Sequence, residues 1–198
     1  MGSPAKFMML KSTGLIDGKA MLHTQEITAS DSDTIARVHA LSWQDSYRGI
    51  LRDSYLDGPI FEERLALWEK RLLEPASGDM GFLALSETIP VGFIFACAGH
   101  DIHRGTFLDN LHVLPEERGK GIGKKLLRAL TSSLISKGYE EGIYLWVFED
   151  NYRTRKFYER LGANVIERVV IDAPGGGKVA EWLYAWESLN HLHTALAD

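Results

Sequence analysis

The sequence predicts an α/β protein: a mixed, mostly antiparallel sheet of about six to seven strands flanked by about four helices. Three observations lead there. Strand-like alternation runs from Gly81 to Val113, broken by turns at 87–90 and 99–105. Helical spacing then brackets a short apolar strand between residues 122 and 162, and two last strands flank the turn Pro174 to Gly177. A helix–strand–helix unit following a meander puts one parallel crossover into an otherwise antiparallel sheet, and helices must cover its faces.

The elements follow in order. Residues 1–24 hold Gly2, Pro4, Gly14 and Gly18 around one apolar patch, Phe7 to Leu10. That patch is too short for a secretory signal, which needs about 7–15 apolar residues, so the segment reads as a poorly ordered leader, native or left over from expression. From Asp31 to about residue 46, Ile35, Val38 and Ser42 or Leu41 recur at helical spacing behind the capping residues Ser30 and Asp31. Gly49 and the Asp57-Gly58-Pro59 break interrupt the chain. Phe61, Leu65, Trp68 and Leu72 then resume a helical face ending near Pro75. Trp43 and Tyr47, in the aromatic linker reaching to Tyr55, either line a substrate entrance or staple the two helices to the core.

Strands follow at 82–85, 91–97 and 106–113, then a helix through Ile122, Leu126, Leu127, Leu130 and Leu134, closed by Gly138. The strand 143–148 carries Trp146, read as sheet core or as a wall of an acceptor site. Asp150 or Asn151 caps a helix through Phe157, Tyr158 and Leu161, stopped by Gly162, and strands near 165–171 and 179–186 finish the domain. One domain is expected over residues 25–190, with 191–198 as a tail.

The 198 residues are 45% hydrophobic and 25% charged, the proportions of a globular protein. Twenty-two Lys and Arg against 27 Asp and Glu give a net charge of −5. That balance argues against nucleic acid as a partner and suits a cationic substrate. No apolar run approaches the ~20 residues of a membrane span. The lone Cys97 cannot form an internal disulfide, so a cytoplasmic protein is expected. His100, His103 and His112 with Cys97 match no closed zinc site, and no metal is expected.

The densest signal is LHVLPEERGKGIGK, Leu111 to Lys124, where a strand runs into a glycine-rich turn at a helix start. Helix starts present unpaired N–H groups and about half a positive charge, and glycines let the main chain approach an anion. Arg118, Lys120 and Lys124 add charge, so a pyrophosphate ester is the natural ligand. The dinucleotide fingerprint fits poorly, because Gly119, Gly121 and Gly123 are too closely spaced. A Walker loop fails, because Lys125 stands where the magnesium hydroxyl belongs.

Arg118-x-x-Gly121-x-Gly123 directly after a strand resembles the signature of the GNAT superfamily of acyl-CoA-dependent N-acyltransferases. NYRTRKFYERLGA, Asn151 to Ala163, is similar to that family's second motif, with Tyr158 seven residues after the Asn. The likeness spans about residues 25–190. It implies a sheet whose two central strands splay apart, with pantetheine lying between the strands that end at Val113 and Phe148. It implies acetyl-CoA as cosubstrate, contacted by Leu111, His112 and Val113 on the strand, by Arg118, Gly119, Lys120, Gly121, Ile122, Gly123 and Lys124 on the loop, and by Asn151 and Tyr158.

By the same likeness, the Val113 N–H polarises the thioester carbonyl and Tyr158 protonates the departing thiolate. An ammonium has no lone pair, so a base or water relay is also needed. Strict alternation places Asp109 on the face of Leu111 and Val113, with Asn110 and His112 opposite. Asp109 is the first choice of base, Glu149 the second and His112 the third; Asp109 alternatively binds the amine or caps a turn. The expected acceptor is a small primary amine bordered by Trp43, Tyr47, Asp109 and Trp146. The competing expectations are an acyl-CoA-binding regulatory module and a transferase acting on peptide amines. A homodimer is left open.

Overall fold

The computed structural model describes residues 21–197. The strands are β1 (Leu22–Glu26), β2 (Asp79–Ser86), β3 (Ile89–Asp101), β4 (Gly105–Val113), β5 (Ile143–Phe148), β6 (Asn164–Asp172) and β7 (Lys178–Trp186). The helices are α1 (Ser32–Ser46), α2 (Asp53–Leu56), α3 (Ile60–Leu73), α4 (Ile122–Ser136), α5 (Tyr152–Arg160) and α6 (Leu189–Ala195). The strands form one sheet in the order β1-β2-β3-β4-β5-β7-β6, in which only β4 and β5 run parallel.

Helices α1 and α3 cover one face of β2–β4. Ile35, Ala36, Val38 and Trp68 pack there on Leu83, Phe93 and Phe95. On the other face α4 buries Ile122, Leu126, Leu127, Leu130 and Leu134, the stripe expected from i, i+4 spacing. Tyr158 and Leu161 from α5 and Leu189 and Leu192 from α6 join the same core. A third cluster joins the α1–α2 linker to the far end of β5, through Leu51, Leu56, Phe148 and Ile171.

Three expectations are corrected. Leu22, His23 and Thr24 belong to β1, paired with β2, although they fall in the expected leader; residues 1–20 of that leader lie outside the described residues. Six helices occur among the described residues where about four were expected, because α2 forms at the end of the linker and α6 crosses from the expected domain into the expected tail. Ser188 caps α6 by accepting from His191 N, and Leu189, Leu192 and Leu196 are buried, a short apolar stripe that the sequence did carry.

Asn151 stands at the start of α5, where its Oδ1 accepts from Thr154 N at 3.3 Å. This is the capping alternative left open by the sequence. Asn151→Ala should cost about 1 kcal/mol of stability, read as a lower midpoint in urea at an unchanged slope.

Candidate active site

The central strands part. β4 and β5 are paired only at Thr106↔Ile143 and Phe107↔Tyr144, and beyond those residues a cleft of about 550 Å³ opens between them. Leu114 N donates to Val91 O at 2.9 Å, which makes Gly92↔Val113 a pair that exchanges no hydrogen bonds, and Ile94↔Leu111 shares that phase. The N–H and C=O groups of Leu111 and Val113 therefore face away from β3, toward the gap left by β5.

A bulge sets what else reaches this gap. The register steps from Ala96↔Leu108 to Phe95↔Asn110, so Asp109 is an extra residue. Strict alternation thus fails at Asp109: Leu111 and Val113 pack on the α4 side, while Asp109 turns to the α3 side and meets Arg71. Its Oδ2 accepts from Arg71 Nη1 and from Asn110 Nδ2 (2.8 Å). Asp109 still lines the cleft, but its charge is offset.

At the mouth of the gap, Gly121 stands at φ +81° as the residue before α4, and Gly119 has the same angle. A Cβ at either would meet nothing within 4 Å, so the protein alone leaves this space clear. The first turn of α4 leaves its amides unpaired by the helix, and Gly121, Ile122, Gly123 and Lys124 all border the cleft. Arg118 and Gly119 line the cleft as well, and the Arg118 side chain is also engaged within the protein. Its Nε donates to Val113 O (3.1 Å), Nη2 donates to Ser46 Oγ (2.9 Å) and Nη1 pairs with Asp45, so the guanidinium braces α1 against the strand end. Lys120 is outside the cleft lining and pairs with Glu117 at 2.9 Å.

Tyr158 projects from α5 into the opposite wall and is 4% exposed. Burial raises its phenol pKa well above the ordinary value, so the hydroxyl keeps its proton at neutral pH. Tyr47, Trp146 and Asn151 also line the cleft. Trp43 does not: it packs against His39 (ring centroids 5.1 Å) under the Arg64 guanidinium (4.6 Å), which is the stapling alternative. Glu149 is corrected as well. It lies outside the cleft lining, paired with Arg168 through both oxygens (2.8 and 2.6 Å) and accepting from Trp182 Nε1 (3.1 Å). The Arg168 hydrogen bonds hold its carboxyl below the usual range, which makes it a weak base. The last turn of α1 also brings Ser42, Asp45 and Ser46 to the cleft; Asp45 and Ser46 lie in the linker read as a possible entrance, and Ser42 was not named as a site residue.

His112 sits on the cleft floor, its Nδ1 3.1 Å from Ser42 Oγ and its ring 4.5 Å from that of His39. Burial, then the charges of Arg118 and Arg64, lower its pKa to about 3. Its imidazole is therefore neutral at neutral pH and a weaker base than an ordinary histidine. Above the unfolded value of ~6.5 both states are neutral and His112 has no effect. Between about 6.5 and 3 the unfolded chain binds a proton that the folded chain does not, so stability falls as pH falls, by up to ~1.4 kcal/mol per unit. His112→Asn should flatten the decline in denaturation midpoint between pH 7 and pH 5, with buried His39, also held neutral, retaining part of it.

A family model described as the acetyltransferase (GNAT) family matches residues 37–163, which include the glycine-rich loop, the splayed strands and Tyr158. The chain belongs to the GNAT family. It is an acetyltransferase of that family and is similar to the uncharacterised N-acetyltransferase YuaI of Bacillus subtilis (strain 168). The two are 28% identical over 182 residues, 89% of this chain and 99% of the relative. The GNAT fold is shared with solved structures. PaiA N-acetyltransferase from Thermoplasma acidophilum, in complex with coenzyme A, superposes with a TM-score of 0.67 at 22% identity, over 84% of this chain and 99% of that one. YncA from Salmonella typhimurium, with its cofactor acetyl-CoA, gives 0.61 at 16% identity over 84% and 94%. Among the described residues of this GNAT protein no helix is long and apolar enough to cross a membrane, and no group of three or more His, Cys, Asp or Glu could hold a metal ion.

Proposed function

We propose that this GNAT protein transfers acetyl from acetyl-CoA to a primary amine by direct attack in a ternary complex. The observation that carries the reading is the set of outward-facing N–H groups of Leu111 and Val113, standing between an anion-binding helix start and a buried tyrosine. The coenzyme A complexes of its structural neighbours support the same ligand class. Acetyl-CoA supplies the activated acyl group. The α4 amides and Lys124 hold its diphosphate, and the Leu111 edge pairs with its amide arm.

The chemistry then divides among the chain's own groups. The Val113 N–H donates to the carbonyl oxygen as negative charge develops there, an effect worth about 3 kcal/mol in comparable sites. Tyr158 donates its proton to the departing sulfur, since a phenol held protonated can protonate a thiolate of ordinary pKa ~8.5. Asp109 keeps Oδ1 free while Oδ2 is occupied. With Arg71 offsetting its charge, Asp109 orients the amine, and the amine proton leaves through water. Tyr47 and Trp146 border the acceptor.

Incubation with acetyl-CoA and an amine panel, following free thiol, tests this. Amine-dependent thiol release is expected. Tight CoA binding without release on any amine would replace the reading with a regulatory binding module.

A further inference from the structure

Every acidic side chain bordering the cleft is already paired: Asp45 with Arg118, Asp109 with Arg71 and Glu117 with Lys120. Glu149, beyond the lining, is paired with Arg168. A cationic acceptor would find no free counter-charge among them. Beside the cleft stands one further partly buried carboxylate, with neither an ion pair nor a hydrogen bond among the described residues. Glu181, on β7, stands directly across from Phe148 on β5, hence on the same face of the sheet. The Phe148 ring lies 4.8 Å from that of Tyr47, which borders the cleft, so Glu181 sits one side chain beyond the cleft wall. Among the described residues no Lys, Arg or His lies within ion-pair distance of it. Partly burying a carboxylate without a partner works against folding, and perturbed groups beside a cleft are candidates for ligand contact.

We propose that Glu181 binds a positively charged group that the acceptor carries away from its reacting nitrogen, so that the substrate is an amine with a second cationic centre. The reacting nitrogen must be uncharged and must reach the thioester between Val113 and Tyr158. The group at Glu181 stays charged and lies on the far side of the Tyr47–Phe148 pair. The environment agrees with a site awaiting a cation. Burial raises the Glu181 carboxyl, and its negative charge is felt at the Tyr47 phenol, which it helps to raise. The sheet register is what sets the distance between the two ends of the acceptor: Glu181 opposite Phe148, and the gap opening past Tyr144.

This inference rests on the amine-transfer reading, and its test separates the two. In protein carrying ¹³C at the Glu side-chain carboxyls, the Glu181 resonance is identified by its loss in Glu181→Gln. With CoA present, 1,4-diaminobutane is expected to shift that resonance saturably, and 4-aminobutan-1-ol, whose far end is uncharged, to leave it in place. In thiol-release kinetics, Glu181→Gln should raise KM for the diamine roughly 10- to 100-fold. KM for acetyl-CoA and for the amino alcohol should not move, and Glu181→Asp should recover part of the loss. A resonance indifferent to both amines overturns the assignment, as does an unchanged diamine KM in Glu181→Gln. A shifted resonance without thiol release on any amine would keep the binding site and overturn the transfer reading instead.

Discussion

Tyr158→Phe should lower kcat by about 100-fold or more, the contribution of a positioned general acid, while the dissociation constant for CoA stays within about two-fold. The reason is local. The ring is packed by Phe157 (centroids 5.2 Å) and Trp186 (5.8 Å), so Phe fills the same space and only the hydroxyl is lost. Burial keeps that hydroxyl protonated, so it has a proton to give when the sulfur departs. Stability should change by less than ~1 kcal/mol, because removing a hydroxyl leaves the packing in place. Single-turnover measurements isolate the step, and parent and mutant rates that coincide would take Tyr158 out of the chemistry.

Gly121→Trp should weaken acetyl-CoA binding by at least ~100-fold, measured by calorimetry. Two effects add. A residue with a Cβ at φ +81° bears about 1–2 kcal/mol of backbone strain. The indole then fills space that the protein leaves empty, since a Cβ there meets nothing within 4 Å. Gly162→Ala separates the two effects. Gly162 has φ +82°, equal freedom around its Cβ and no place in the cleft lining, so its variant carries the strain without the obstruction. The control should lose stability and keep its ligand. Retention of acetyl-CoA by Gly121→Trp would move the diphosphate site away from α4.

Much of the fold was legible because its signals are local. The α4 stripe, the Asn151 cap and the glycine stops at Gly138 and Gly162 each lie within a few residues of the structure they specify. Where the reading went wrong, the deciding contact was distant or irregular. β1 is only five residues long and is held by pairing with β2, some sixty residues later in the chain, so its own sequence carries little strand signal. The bulge at Asp109 breaks a period-two rule that otherwise holds along β4, and no residue type there announces it. Trp43 looked like an entrance residue because rings at a linker suit either use, and only the Arg64 and His39 contacts decide for packing.

The sequence by itself determined the ligand-holding half of this protein. A strand, three closely spaced glycines and a helix start are consecutive in the chain, and their backbone chemistry follows from that order alone. The tertiary structure decided the half proposed to take the acceptor, because the availability of a charge depends on what folds against it. Arg71 reaches Asp109 across 38 positions and Arg168 reaches Glu149 across 19, offsetting the charge of the two carboxylates that the sequence favoured. Glu181 is left without a cation by the same packing. Ion pairing is set by proximity in space, and residues so far apart in the chain become neighbours only when the sheet has assembled.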